Sequence, residues 1–191
     1  MRNTRTMLAA ALVGVAAATI APVRAQDAQP TPEARESERA ARLRLAEEGL
    51  QKLYALQPDA RTAVEQAVGY AVFEVDSIYA VLFVGQRGKG VLIDNKSKKP
   101  TFMISSRVGT GPGVGKQSVW QIFVFKSPSA MDQFLVGGKA GGDLGASVST
   151  GKEGIVRSFN PSIDIYQVPG AGIAVQASWG GTVYTVDSAL E

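Results

Sequence analysis

Apolar residues recur along the first third of the chain with the spacing of an α-helix. Residues three or four apart share one side of a helix, and this spacing predicts a helix over Glu33–Gln57. The apolar stripe consists of Leu43, Ala46, Leu50, Leu53 and Tyr54. Pro58 ends this helix, and Asp59 is expected to start a second short helix over Ala60–Ala67.

From Val68 onward the pattern changes to short apolar runs separated by glycine and polar residues. Eighteen of the 21 glycines lie between Gly85 and Gly181, and the runs are rich in residues that favour strands. The predicted strands are Val68–Val75, Ile78–Val84, Val91–Asp94, Thr101–Val108, Val119–Phe125, Asp143–Thr150, Ser162–Val168, Gly172–Trp179 and Thr182–Val186. Val119–Phe125 is apolar on both faces apart from Gln121, so we expect it at the centre of the sheet.

One helical segment interrupts these strands. Ser127–Val136 begins with a Ser-Pro pair suited to a helix start and is followed by Gly137-Gly138, which suits a helix end. The order of segments predicts a mainly β, α+β fold: N-terminal helices, then a large, mostly antiparallel β-sheet or barrel-like domain with one inserted short helix. We expect a single domain over 33–191, helical over 33–67 and β-rich over 68–191, preceded by a polar linker at 26–32.

Residues 1–25 have the pattern of a secretory signal peptide. Arg2 and Arg5 precede the apolar run Met7–Ala21, and Val23-Arg24-Ala25 fits the small-x-small cleavage pattern. The run is shorter than the roughly 20 apolar residues that a membrane-spanning helix needs, although a retained N-terminal anchor is the alternative. The sequence therefore predicts a periplasmic or secreted protein, cleaved near Ala25.

The charge balance argues against nucleic-acid binding. The chain has 20 Lys and Arg against 17 Asp and Glu, but three of the basic residues lie in the predicted signal peptide, which has no acid. Without it the net charge is zero, so no general attraction for nucleic acid is expected. The chain also has no Cys and no His, which removes thiol nucleophiles, Ser-His triads and the commonest metal ligands. We expect no enzyme activity, no catalytic residues, no metal and no cofactor.

Two motifs resemble functional sequences, a nucleotide-binding loop and a catalytic serine–lysine pair, only superficially. A glycine ladder places glycine at every second position, at Gly109, Gly111, Gly113 and Gly115. It lacks the spacing of a dinucleotide-binding loop and leads into a strand, so we interpret these glycines as structural. Ser149-x-x-Lys152 matches a serine–lysine pair formally, but that pair requires a helix, and Gly151 favours a turn here.

A basic group is the strongest candidate for binding. It comprises Arg87, Lys89, Lys96, Lys98 and Lys99, and nets +4 over 13 residues because Asp94 is the one acid among them. Such a group attracts anionic lipid headgroups, while the alternative is a solvated turn at 95–100. The arginines of the first helix also leave two alternatives open. The helix either packs on the sheet or lies on a membrane.

Several segments, in this order, resemble the SYLF domain family of lipid-binding proteins, in particular its exported bacterial branch. They are Ala67–Phe73 (AVGYAVF), Arg87–Asn95 (RGKGVLIDN), the glycine ladder, Phe123–Phe125 with Phe134, and Gly170–Ile173. The resemblance implies a mostly β domain that associates with membrane lipid and brings no catalytic residues. The chain departs from the family pattern at Val81–Val84, which is apolar where members of the family are often rich in glycine.

Taken together, the sequence predicts a non-enzymatic module of the bacterial cell envelope that binds lipid or a membrane surface. An anionic phospholipid is the expected ligand, with the five residues of the basic group as the lipid-binding candidates. The alternative is a periplasmic structural or protein-interaction module without a lipid ligand, whose partner is another envelope protein.

Overall fold

The computed structural model describes residues 30–139, 147–148, 154–158, 160–176 and 182–191. The predicted signal peptide and most of the predicted linker lie outside these residues. The helices are α1 (Pro32–Leu56), α2 (Ala60–Gln66) and α3 (Pro128–Lys139). The strands are β1 (Gly69–Asp94), β2 (Pro100–Phe125), β3 (Ser147–Val148), β4 (Gly154–Ser158), β5 (Ile163–Gln176) and β6 (Val183–Val186).

The predicted helices are confirmed to within three residues at each end. The Thr31 hydroxyl caps α1 by accepting a hydrogen bond from the Ala34 N–H at 3.2 Å, and Pro32 is its first residue. The Ser127 hydroxyl does the same for α3, accepting from the Ala130 N–H at 3.3 Å. Asp59 precedes α2 as predicted, but its side chain makes no capping hydrogen bond.

The strands form an antiparallel sheet in the order β1-β2-β5-β4-β3, and β6 also pairs with β2. This confirms the α+β class and places the apolar segment Val119–Phe125 in the middle, between β1 and β5. Among the described strands no pairing closes the path into a ring, so the sheet is open and the barrel-like alternative is not adopted. No helix within the described ranges is both long and apolar enough to cross a membrane.

Three strands are longer than predicted. β5 runs unbroken over Ile163–Gln176 and joins the predicted strands Ser162–Val168 and Gly172–Trp179. β1 and β2 have 26 residues each and pair from Gly69–Phe125 to Ile93–Pro100, so the breaks predicted within each of them do not occur. Glycine and polar residues between the apolar runs continue the ladder, as in the pair Gly88–Ser105. Ladder hydrogen bonds need only backbone groups, so a polar or glycine-rich stretch does not end a strand that has a partner.

The long hairpin of β1 and β2 folds back on itself. A side chain at Gly69 would lie 2.7 Å from the Ile93 carbonyl oxygen, and one at Gly90 would collide with the Val72 carbonyl oxygen. The first half of β1 therefore lies against its second half, and the bend falls midway, near Val81. Only glycine permits so close an approach of two backbones.

The bend has an irregular backbone. Val81 has a φ of 58°, in the left-handed region that a β-branched residue rarely adopts. The register shifts between Val81 and Phe83, so that Leu82 has no partner in the ladder. The glycine ladder of β2 lies opposite this bend, and Gly115, with a φ of 132°, requires glycine. These features are consistent with the structural interpretation of the ladder.

Two apolar clusters hold the fold together. Side chains from both halves of the hairpin form one cluster with α3 and β6, in which the Phe134 ring lies 5.2 Å from the Phe123 ring and 5.1 Å from the Tyr184 ring. The second cluster joins α1 and α2 to the other face of the sheet, where Leu50 and Leu53 pack with Trp120. Of the two alternatives left open for the first helix, the structure shows the one in which it packs on the sheet.

Candidate functional site

The lysine turn, residues Asp94–Lys99, connects β1 to β2 and has a fixed conformation. A carboxylate oxygen of Asp94 accepts hydrogen bonds from the Lys96 and Ser97 N–H groups, both at 2.8 Å. These bonds, led by the one from Ser97, lower the pKa of Asp94, so its charge persists in mildly acidic solution. The Asp94 carbonyl oxygen also accepts from the Lys98 N–H at 2.8 Å.

The same turn is attached to the helical layer through Asn95. Its side-chain amide donates to the carbonyl oxygens of Val64 at 2.7 Å and Ala67 at 3.0 Å, at the end of α2. The Lys96, Lys98 and Lys99 side chains are exposed, and none forms an ion pair with a described residue. The structure therefore presents three of the five candidate cations together on a rigid support.

The other two candidates lie elsewhere on β1. The Lys89 ammonium is 2.8 Å from a carboxylate oxygen of Glu38 on α1, and this contact is the main cause of the lowered pKa of Glu38. Arg87 is exposed and forms no ion pair with a described residue. It precedes Asp94 by seven residues, which is about 23 Å of extended strand at about 3.3 Å per residue. The structure thus divides the basic group into the lysine turn, a paired Lys89 and a separate Arg87.

The hairpin as a whole is cationic. Gly69–Phe125 contains seven basic residues and three acidic residues, a net charge of +4, and Lys126 follows it directly. Lys89 is paired with Glu38, and the Lys126 ammonium lies 2.7 Å from the Asp164 carboxylate. The cations without an ion pair to a described residue are Arg87, Lys96, Lys98, Lys99 and Lys116. Lys116 was not part of the predicted basic group, because it lies far from the other cations along the chain.

The arginines of α1 are partly used inside the fold. Arg42 is 4% exposed, and its guanidinium donates to the Met103 carbonyl oxygen at 2.7 Å and to the Asp187 carboxylate at 2.6 Å. The Arg39 guanidinium donates to the Leu190 carbonyl oxygen at 2.8 Å. These two side chains fasten the C-terminal segment to α1, and Arg42 is buried in doing so.

A shallow groove of about 530 Å³ lies beside the lysine turn, between α1, the start of β2 and the C-terminal segment. Arg39 and Lys99 line it, but so do Glu36 and Glu191, and Leu43 and Phe102 form apolar patches on its wall. The charges of opposite sign offset one another, so the groove has no preference for an anion. Within the described ranges no three acidic side chains lie close enough together to hold a metal ion.

The bend of the hairpin exposes a group of large apolar side chains, which we call the apolar crest. Its members are each between 54% and 87% exposed and are Ile78, Val81, Leu82, Phe83, Val108 and Val114. Sequence analysis assigned part of it to a strand but did not identify a surface there. The available signal was the run Val81–Val84, in which four consecutive apolar residues replace the alternation of a half-buried strand.

Charged residues border the apolar crest. Lys116 lies opposite Ile78 in the ladder, and Arg87 lies two residues beyond Gly85, the partner of Val108. Both cations are exposed, as is Asp76, which lies two residues before Ile78. The crest is therefore an apolar surface with a net positive border.

These features define a β-rich α+β protein with a cationic hairpin and an exposed apolar bend. No family model matches the chain. Among curated proteins it is similar to beta cell expansion factor A of Aeromonas veronii, with 30% identity over 149 residues. The alignment covers 76% of this chain and 56% of that protein, so the chain spans just over half the length of this relative.

Proposed function

We propose that this protein is a non-enzymatic binding module for anionic lipid surfaces of the bacterial cell envelope, exported after cleavage near Ala25. The observation that carries the proposal is the cationic hairpin, with seven basic residues against three acidic residues in Gly69–Phe125. Each cation close to an anionic membrane contributes about 1 kcal/mol of attraction. The resemblance to the SYLF family supports lipid as the ligand class.

The attraction arises from the arrangement of charge, since the chain without its signal peptide has no net charge. Residues 26–76 contain ten acidic and six basic residues, whereas residues 77–191 contain seven acidic and eleven basic ones. The helices α1 and α2 contain six acidic and six basic residues and have no net charge, so the excess of cations belongs to the hairpin. At physiological salt the Debye length is about 8 Å, so only cations close to the membrane contribute.

The proposal is tested by co-sedimentation of the chain from Gln26 onward with vesicles. Phosphatidylcholine vesicles with and without phosphatidylglycerol are compared at low and physiological salt. We expect binding only to the vesicles that contain phosphatidylglycerol. Binding should also weaken as the Debye length contracts from about 30 Å to about 8 Å. Equal binding to neutral vesicles, or none to anionic ones, would contradict the proposal, and the second result favours the alternative of an envelope protein as partner.

A further inference from the structure

We infer that the apolar crest is the surface that enters the lipid, with Arg87 and Lys116 at the level of the headgroups. The inference rests on the proposed function and names the part of the molecule that carries it out. In this arrangement the bend of the hairpin points into the bilayer and the lysine turn points away from it.

The first support is the concentration of exposed apolar side chains. Nine large apolar residues of the described chain are exposed, and six of them belong to the apolar crest. The other three, Leu43, Leu56 and Val136, lie on two different helices. Single exposed apolar residues are ordinary on protein surfaces, whereas a concentration of them at one bend indicates a surface that another phase or molecule covers.

The second support is the backbone of Val81. A β-branched residue in the left-handed region is strained, and glycine or asparagine would relieve that strain. The Val81 side chain is 67% exposed, so packing within the chain does not compensate for it. Strained residues of this kind are concentrated at functional surfaces. Here the strained residue carries an exposed apolar side chain at the bend of the hairpin.

The third support is the charged border, which selects an anionic bilayer among the possible occupants. Arg87 and Lys116 lie beside the crest with no ion pair to a described residue. A second copy of the chain docked crest to crest would bring these cations close to their own counterparts, where like charges repel. A bilayer with anionic headgroups instead offers a counter-charge at the border and hydrocarbon at the centre.

The distance between the two candidate surfaces makes the inference testable. From Phe83 to Asp94 the strand advances eleven residues, at most about 36 Å at about 3.3 Å per residue. This length compares with a Debye length of about 8 Å at physiological salt. When the crest contacts a membrane, the lysine turn therefore contributes little to binding. If the turn were the contact surface instead, the crest would be the end that contributes little.

The experiment compares three variants of the chain from Gln26 onward, on vesicles of phosphatidylcholine and phosphatidylglycerol. The crest variant is Leu82→Gln with Phe83→Gln. The matched control is Leu56→Gln, because Leu56 and Leu82 are both 59% exposed. The turn variant replaces Lys96, Lys98 and Lys99 by Gln. Thermal unfolding verifies that each variant is folded.

At physiological salt we expect the crest variant to bind at least about tenfold more weakly, because two large side chains no longer enter the lipid. The control and the turn variant should stay within about twofold of the unmodified chain. If the turn variant loses binding and the crest variant keeps it, the inference is overturned while the proposed function stands. If the unmodified chain binds no vesicle, the proposed function itself fails. A dimer in lipid-free solution that the crest variant converts to monomer would show that a second copy covers the crest, which also overturns the inference.

Discussion

Replacing Arg42 by methionine is expected to loosen the attachment of α1 to the C-terminal segment. The guanidinium of Arg42 donates to the Met103 carbonyl oxygen at 2.7 Å, to Asp187 at 2.6 Å and to Glu38 at 3.1 Å. Methionine retains most of the apolar stem and none of the donors. The substitution therefore removes these polar contacts while creating little empty space.

The expected cost is about 3 kcal/mol of the free energy of unfolding. Breaking a buried ion pair costs about 3–5 kcal/mol, and leaving a buried carbonyl oxygen without its donor costs about 1–3 kcal/mol. The lower end applies because the side chains of Asp187 and Glu38 are 16% and 33% exposed, so water replaces part of what each loses. For a chain of this size the melting temperature should fall by about 6–12 °C.

Urea unfolding of the unmodified chain and of Arg42→Met measures this loss of free energy. Arg44→Met is the matched control, because Arg44 lies on the same helix and its side chain is exposed. The control should change the free energy of unfolding by no more than about 0.5 kcal/mol. If Arg42→Met and Arg44→Met lower the free energy of unfolding by the same small amount, the contacts of Arg42 do not stabilise the fold.

Three further substitutions test other parts of the structure. Val81→Gly should raise the melting temperature, by relief of about 1–3 kcal/mol of backbone strain, and should weaken vesicle binding in co-sedimentation. Gly115→Ala should destabilise by a similar amount in urea unfolding, because its φ of 132° is unsuited to a side chain. Burial raises the pKa of Glu74, so its ionised form opposes folding. Glu74→Gln should therefore raise the melting temperature at neutral pH, with a gain that shrinks as the pH falls through that pKa.

The sequence predicted the helices well because their signals are local. The spacing of Leu50 and Leu53 defines a packing face, and Ser127-Pro128 defines a helix start, without reference to the rest of the chain. Leu43 belongs to the same stripe but is exposed beside the groove. The burial of Arg42 could not be predicted from its local sequence, because its partners Met103 and Asp187 are 61 and 145 residues away.

The local signal at the bend of the hairpin, the apolar run Val81–Val84, does not by itself distinguish a buried strand from an exposed bend. A strand pattern indicates which residues share a face, but it does not indicate which length of strand the helices will cover. Val84 is buried and its neighbour Phe83 is exposed, and the difference depends on the close approach of the two halves of β1. The basic group failed to form one patch for a related reason. Lys89 finds a partner in Glu38, which lies 51 residues away in the sequence.

The most direct test of how this protein meets a membrane is the depth of a single side chain in the bilayer. Phe83→Trp places a fluorophore at the apolar crest, and Leu56→Trp places one at a helix end that is also exposed, at 59% against 68% for Phe83. The signal of the chain's own two tryptophans is subtracted in each case. On vesicles that contain phosphatidylglycerol and brominated phosphatidylcholine, the tryptophan at residue 83 should shift to shorter wavelength and be quenched, while that at residue 56 should not change. An unchanged spectrum at residue 83 on vesicles that carry bound protein would contradict the account.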